Sequence, residues 1–459
     1  MNSFREQFSA ECAGGPMNNR DYSVLHGFNP SAGQPAALAR ALRKIGVDAA
    51  NVAIGPNRFG YTSDFHFQGK QSEIIRDVLS NIAIKHDIIH IHAVTPFFEI
   101  GMPTFPMGTD LLALKLAGKK IVIHFRGSEI RIPSKFREMS PYHYVDDDTD
   151  GLIKRYHEAK QLAYIELCTT LADEILVSDP ELRTYVPEAK ILPRAIDMAE
   201  WQYVGLMDKA APLIVHAPSR QGVKGTKHVL AAVEQLHSEG VAFEFRLIEG
   251  LPQDEARRLF QAADIIVDQL RIGWYGVLAV EGMALGKAVI SYIRDDIVTT
   301  FEGTPPVHVA NPDNIKERLR ELIVSRELRQ QVAAAGHDFC RRTHDLDVVA
   351  QHCVDIYDRL EPKFDFQRYM RLNADQQAMR HQELLDAKAR GAANAKKAVL
   401  GPKVDALVIR TSSPESKSHP AVKKAVNTGA DLYVRLYRLV KREGLAGAVK
   451  RVLVRLVGA

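Results

Sequence analysis

What most constrains this chain is the alternation of strand-like and helix-like segments along it. Residues 21–28 (DYSVLHGF) read as a strand, NPSAGQP as a Gly/Pro loop, and AALARALRKIG as an amphipathic helix closed by Gly46. The pattern recurs: HDIIHIHA (86–93) is a buried-type strand, DLLALKLAG (110–118) a helix ending at Gly118, and KKIVIHF (119–125) another strand. A long helical pattern over 151–171 leads into the strand EILVS (174–178). Alternation of this kind predicts a mainly parallel sheet covered on both faces. The stretch 194–212, RAIDMAEWQYVGLMDKAAP, has no clear period and reads as a linker. The alternation then restarts with strands at 213–217, 243–248, 264–268 and 288–292, interleaved with helices at 226–240, 254–263 and 277–286. Helical patterns over 314–360 follow. The expectation is an α/β fold of two doubly wound domains, 21–205 and 206–345, facing a cleft at the carboxyl ends of their strands. Residues 346–360 form a helix crossing back over the first domain, residues 1–20 a disordered N-terminus, and residues 361–459 a basic helical tail with a flexible linker.

Composition narrows the class. With 459 residues, 46% hydrophobic and 25% charged, the chain matches ordinary globular proteins and excludes general disorder. Its four cysteines are far apart and include no Cys-x-x-Cys pair, which speaks against a disulfide scaffold or a structural zinc and for a reducing cytosol. The first twenty residues contain no apolar run of signal-peptide length, and no window reaches the roughly 18 apolar residues of a membrane span. Charge is unevenly shared: residues 361–459 hold 20 Lys and Arg against 9 Asp and Glu, net +11, while residues 1–360 are net −7.

Two stretches carry the chemistry. In LIVHAPSRQGVKGT (213–226) a buried strand runs into a loop with two glycines, Arg220 and Lys224, then a helix with Thr226 expected as its N-cap. Helix N-terminal amides, close backbone approach through Gly225 and two cations make an anion site suited to a diphosphate. A strand–helix turn with solvated cations fits the same residues. In DQLRIGWYGVLAVEGMALGKAVI (268–290) the arrangement repeats, and Glu281 lies just past the first turn of the following helix. Helical side chains tilt towards the N-terminus, so its carboxylate points back to the cleft, where it can accept from a ribose diol. Capping of its own helix or pairing with Lys287 is the alternative.

The pattern HAPSxxxxKGT, then the loop GWYG, then VEGMALGKAVI resembles the donor half of GT-B retaining glycosyltransferases, family four (glycosyl transferases group 1), over about residues 20–360. The resemblance implies two Rossmann-like domains. It assigns Arg220 and Lys224 to a donor diphosphate, Glu281 to the ribose, and Gly225, Thr226, Gly273, Tyr275, Gly276 and Val277 to the nucleotide-sugar site. The family's Glu-x7-Glu motif is incomplete, because Gly273 stands in the place of the first acid. In the first domain, Gly33 takes the position of a flexible glycine near the donor phosphates. In IVIHFRGSEIR (121–131), Arg126 replaces the family's His; His124, two residues earlier on the same strand face, stands beside it as a further catalytic candidate. Glu129 and Arg131 either pair or face substrate.

His90 and His92 share a strand face at a spacing two metal ligands could use, but no third ligand is evident, and the resemblance implies no metal. The acids of VDDDTD (145–150) read as a dipole-compensating helix start. The function expected is transfer of a sugar from a nucleotide-sugar to a glycan, lipid-linked or small-molecule acceptor, with retention, in the cytoplasm and with no cofactor. Alternatives are a nucleotide-sugar epimerase and a degenerate non-catalytic binding partner. Within the tail, residues 430–457 have Leu432, Tyr433, Leu436 and Val440 on one helical stripe and Arg435, Arg438 and Arg442 on another. Such a helix suits an anionic membrane surface at the inner face, or packs on the acidic body. No nucleic-acid motif interrupts it.

Overall fold

A computed structural model describes residues 20–372 apart from 30, 56–59, 68–77, 93–107, 156–157, 208, 210 and 299–304. Nearly all of the tail, including 430–457, and the N-terminal 19 residues lie outside the described residues. The chain divides into two compact units, one of residues 1–95 and 119–363, the other of residues 96–118 and 364–459. In the second unit the described residues form the helix Thr109–Leu116 and helical backbone over 366–372.

The first unit holds two parallel sheets. One runs β3-β2-β1-β4-β5-β6-β7, built from β1 (Ser23–Phe28), β2 (Asp48–Ile54), β3 (Phe65–Phe67), β4 (Ile88–His92), β5 (Lys120–Phe125), β6 (Glu174–Val177) and β7 (Lys190–Ile191). The other runs β12-β11-β10-β8-β9, from β8 (Leu213–His216), β9 (Glu244–Leu247), β10 (Ile265–Val267), β11 (Ala288–Ser291) and β12 (His308–Val309). This is the mixed α/β, Rossmann-like arrangement that the alternation predicts. Four strands escape the sequence reading: β2, β3, β7 and β12.

Helix α1 (Gln34–Lys44) starts after Gly33, whose φ of 75° puts it in the left-handed region, and carries a Pro in its first turn. A Cβ at Gly33 would also stand 2.9 Å from the Tyr61 ring, so glycine is required there twice over. Later in the first sheet's half come α2 (Glu158–Leu171) and α3 (Pro180–Arg183). In the second half, α4 (Gln221–Lys224) and α5 (Thr226–Ser238) follow β8, α6 (Gln253–Ala262) follows β9, and α7 (Val277–Ala284) follows β10. The sequence closes with α8 (Ile315–Val324), α9 (Arg326–Thr343) and α10 (Leu346–Tyr357).

Along α10, Leu346, Val349, Ala350, Cys353, Val354 and Tyr357 fall on one helical stripe and pack with Leu38 and Leu42 of α1 and with Val24, Ile88 and Val122 of the first sheet. Each such fully buried Leu contributes about 1.5–3 kcal/mol. The supposed linker is also tied in: the Ile196 amide donates to the His344 carbonyl at 2.8 Å, and the Trp201 ring is buried against Phe260.

Candidate active site

A cleft of about 190 Å³ lies between the start of α1 and the start of α7. Gly33, Arg40 and Tyr61 line one side; Val277, Val280 and Glu281 line the other; Arg194 and Trp201, from the supposed linker, close it.

Glu281 points into this cleft, as helical tilt requires. Burial pushes its carboxyl up to about 8, the nearby Asp268 carboxylate adds to the shift, and Arg257 and Lys224 oppose it. A largely protonated acid beside the Tyr61 phenol is a hydrogen-bonding group for hydroxyls rather than a fixed charge. Lys287 is not its partner: that ammonium donates to the carbonyls of Gly205 and Gln261.

Lys224 ends α4. Its Nζ lies 2.7 Å from Asp268 Oδ1 and 2.7 Å from Gln269 Oε1, which leaves one of its three N–H donors over. The Gly276 amide, at the N-terminus of α7, donates to the other Asp268 oxygen. A side chain at Gly276 would sit 2.9 Å from Lys224 Nζ, so the glycine lets the cation reach the helix end. The guanidinium of Arg220, one residue before α4, makes no hydrogen bond or ion pair among the described residues and lies near Tyr144.

Several expected contacts are corrected. Thr226 is not an N-cap; Gly225, at φ 78°, holds that place, and the Thr226 hydroxyl is fully buried, 2.9 Å from His216 Nε2. Tyr275 is 1% exposed and its hydroxyl meets His344 Nε2 at 2.9 Å, so its ring belongs to the core. His124 is wholly buried between His90 and Ser178 and cannot reach a ligand in the cleft. Arg126, on the same face, turns its guanidinium back onto His92 and Ser178; burial and the charge of Arg194 hold it at about 9. Its Nε–H is buried without a partner. Arg131 does not pair with Glu129: it forms a bidentate pair with Glu181 at 3.0 and 2.7 Å, while Glu129 accepts from the amides of Arg126 and Gly127. In the acid cluster, Asp148 accepts from the amides of Leu152 and Ile153, as a helix start should, but Asp147 pairs with Arg271 at 2.8 Å and Asp150 accepts from the Val223 amide.

Gly273 sits at φ 95°, and a Cβ there would lie 2.5 Å from Arg294 Cδ. The vacant acid position is thus filled by an arginine stem. Restoring the acid, Gly273→Glu, is expected to cost about 2–4 kcal/mol from the left-handed backbone and the displaced arginine, and to gain no activity. Urea unfolding beside a transfer assay checks this; a stable, more active variant would refute it.

Comparison with known proteins places these features. Residues 223–355 match a family described as glycosyl transferase-like, a segment that holds Lys224, Gly276 and Glu281. The fold is GT-B, and its residues 223–355 are glycosyl transferase-like. The GT-B fold has solved counterparts. Over 74% of this chain and 99% of the other, it is similar to the sucrose-phosphate synthase of Thermosynechococcus elongatus, at TM-score 0.52 and 11% identity. HepE of Anabaena, solved with UDP and glucose, is similar at TM-score 0.50 and 12% identity over 74% and 100% of the two chains. No curated protein matches the chain in sequence. Arg194 and Tyr61, which line the cleft, and Asp268 and Gln269, which hold Lys224, were missed by the sequence reading. Asp268 had a signal: an acid ending the buried strand DIIVD needs a cation, and β10 pairs directly with β8, whose loop carries Lys224.

Proposed function

We propose that the protein transfers a sugar from a nucleoside-diphosphate sugar to a glycan, lipid-linked or small-molecule acceptor, with retention at the anomeric carbon and without a metal. The observation that supports this most is that Lys224 and the α7 N-terminus meet at Asp268, within electrostatic reach of Glu281, which lines the cleft. The spare Lys224 donor, the Val277 amide and Arg220 take the diphosphate, and Gly276 leaves room for the Lys224 ammonium to reach it. Glu281 takes the ribose diol, and Gly33 lets the opposite backbone approach. The loops of Gly225 and Gly273 shape this pocket, while Thr226, Tyr275 and His124 support it from behind. As the diphosphate leaves and positive charge grows on the sugar, this fixed positive field stabilises the transition state. Arg126, whose Nη groups are held by Ser178 and His92, has only its unsatisfied Nε–H, beside Arg194, to offer a substrate. HepE, solved with UDP and glucose, agrees with a uridine donor.

A thermal-shift screen against UDP, GDP, ADP and their sugars tests the reading: a ligand at a hundred times its dissociation constant adds about 2.7 kcal/mol. No shift with any nucleotide would reject it. Within the screen, Glu281→Ala is expected to raise the donor KM roughly 10- to 100-fold through lost hydrogen bonds in a buried site. Glu281→Gln keeps donor and acceptor atoms and should stay within a few-fold of the parent. Because the folded acid titrates above its unfolded value, its burial favours folding less as pH rises towards 8, so the Gln variant should melt higher there. Product analysis without acceptor separates the epimerase reading, and Gly273 beneath Arg294 is the one observation favouring a non-catalytic role. Among the described residues no helix is long and apolar enough to cross a membrane. The +11 tail supports peripheral attachment to an anionic surface from the cytoplasm.

A further inference from the structure

Four histidines meet on one face of the first sheet. His26 on β1 stands in register with His90 on β4, and His92 with His124 on β5, so period-two alternation sets all four side by side. All are 0% exposed, and Tyr357, the last residue of α10, covers them.

Their hydrogen bonds have a direction. A guanidinium only donates, so His92 Nδ1, bonded to Arg126 Nη2, must accept. His92 Nε2 then carries the proton and donates to His26 Nδ1 at 2.9 Å. His26 Nε2–H donates to the Tyr357 hydroxyl at 3.2 Å, whose own proton goes to His90 Nδ1 at 2.6 Å. His90 Nε2–H continues to His124 Nδ1 at 3.4 Å, and His124 Nε2–H to Ser178 Oγ at 3.3 Å. Ser178 ends the series by donating to the Phe125 carbonyl at 3.4 Å, while accepting from Arg126 Nη1 at 3.2 Å. The path leaves Arg126 and returns to it.

We propose that His92, His26, Tyr357, His90, His124 and Ser178 form one directed hydrogen-bond circuit, with every imidazole neutral and in the Nε2–H form, that clamps the Arg126 guanidinium, and that Tyr357 on α10 is a positioning residue for Arg126. Its bearing on catalysis rests on reading Arg126 as substrate-facing; the circuit itself does not. Potential ligand atoms of His26, His90 and His92 lie within 4.8 Å of one another, the arrangement of a metal site. In the circuit each lone pair already accepts a proton, and the Arg126 charge opposes a second cation. Burial and that same charge keep all four imidazoles from protonating.

The test is side-chain nitrogen NMR of the full-length protein, with Tyr357→Phe as the variant. The parent should show four neutral Nε2–H imidazoles and slowly exchanging, separately resolved Arg126 Nη protons. In Tyr357→Phe the His26 Nε2 and His90 Nδ1 signals should move, the Arg126 signals should average, and kcat should fall about tenfold with donor KM within twofold. The proposal is overturned by an Nδ1–H or charged imidazole among the four at pH 7, by Zn²⁺ binding one-to-one with displacement of these signals, or by Arg126 signals or kcat indifferent to the tyrosine. The parent spectra and the zinc titration decide the matter even where the variant does not fold. Parent protein with no transfer activity but the expected spectra would sink the functional reading and leave the circuit standing.

Discussion

Lys224→Ala is expected to lower turnover at least a hundredfold and, separately, to destabilise the protein by about 3–5 kcal/mol. The first effect follows from removing one fixed donor at a leaving group, worth about 3 kcal/mol of transition-state stabilisation. The second follows from what Lys224 touches. Asp268 is fully buried, and its carboxylate is held by the Lys224 ammonium and the Gly276 amide. Removing one partner of a buried pair strands the other charge. The two effects are separable. Asp268→Asn in the Lys224→Ala background removes the stranded charge while keeping an acceptor for Gly276, so stability should return by a few kcal/mol while turnover stays low. Urea unfolding of the two variants, beside steady-state rates with saturating donor, checks both arms. Recovery of the rate together with stability would mean that Lys224 holds up the fold and does no more.

The pair also shows where a sequence stops being readable. Lys224 and Glu281 were singled out because each follows a glycine-bearing loop at the end of a buried strand, and the fold brings the two within electrostatic reach of each other. The same local pattern is silent about which side of a helix start faces the core. Thr226 looked like a cap, yet its hydroxyl belongs to His216, ten residues earlier on the adjoining strand. His124 and Arg126 share a strand face as alternation demands, but the face is covered by α10, more than two hundred residues later. The alternation of strands and helices was legible almost throughout. The strands it missed are short edge pieces or, for β2, the Ala-rich DAANVAI, whose small residues lack the β-branched signature. Arg194 and Trp201 were hidden in a stretch without periodicity that proves to line the cleft.

The largest solution effect expected is acid unfolding. His26, His90, His92, His124, His216 and His344 are buried. Burial lowers all six, His26 to about 3 and His216 and His344 to about 4. Arg126 adds to the lowering of the first four, joined by Arg43 at His26 and Arg194 at His124. His216 and His344 donate through Nδ1 to the carbonyls of Val267 and Arg194, and in the neutral form each Nε2 accepts from a hydroxyl, of Thr226 and Tyr275 respectively. In the unfolded chain each titrates near 6.5. Below that value the unfolded state binds protons that the folded state refuses, so stability is complete above about pH 6.5 and declines as pH falls towards 4. Each histidine costs about 1.4 kcal/mol per pH unit over this window, so six acting together lose roughly 8 kcal/mol per unit, against a total stability of about 5–15 kcal/mol for a typical domain. Glu281 runs the other way but is a single group. Urea midpoints measured at pH 7, 6, 5.5 and 5 should therefore collapse over the last two points, and His216→Asn should shallow the slope by about one proton. A stability flat from pH 7 to 5 would mean that these imidazoles find protons, and partners for them, inside the fold.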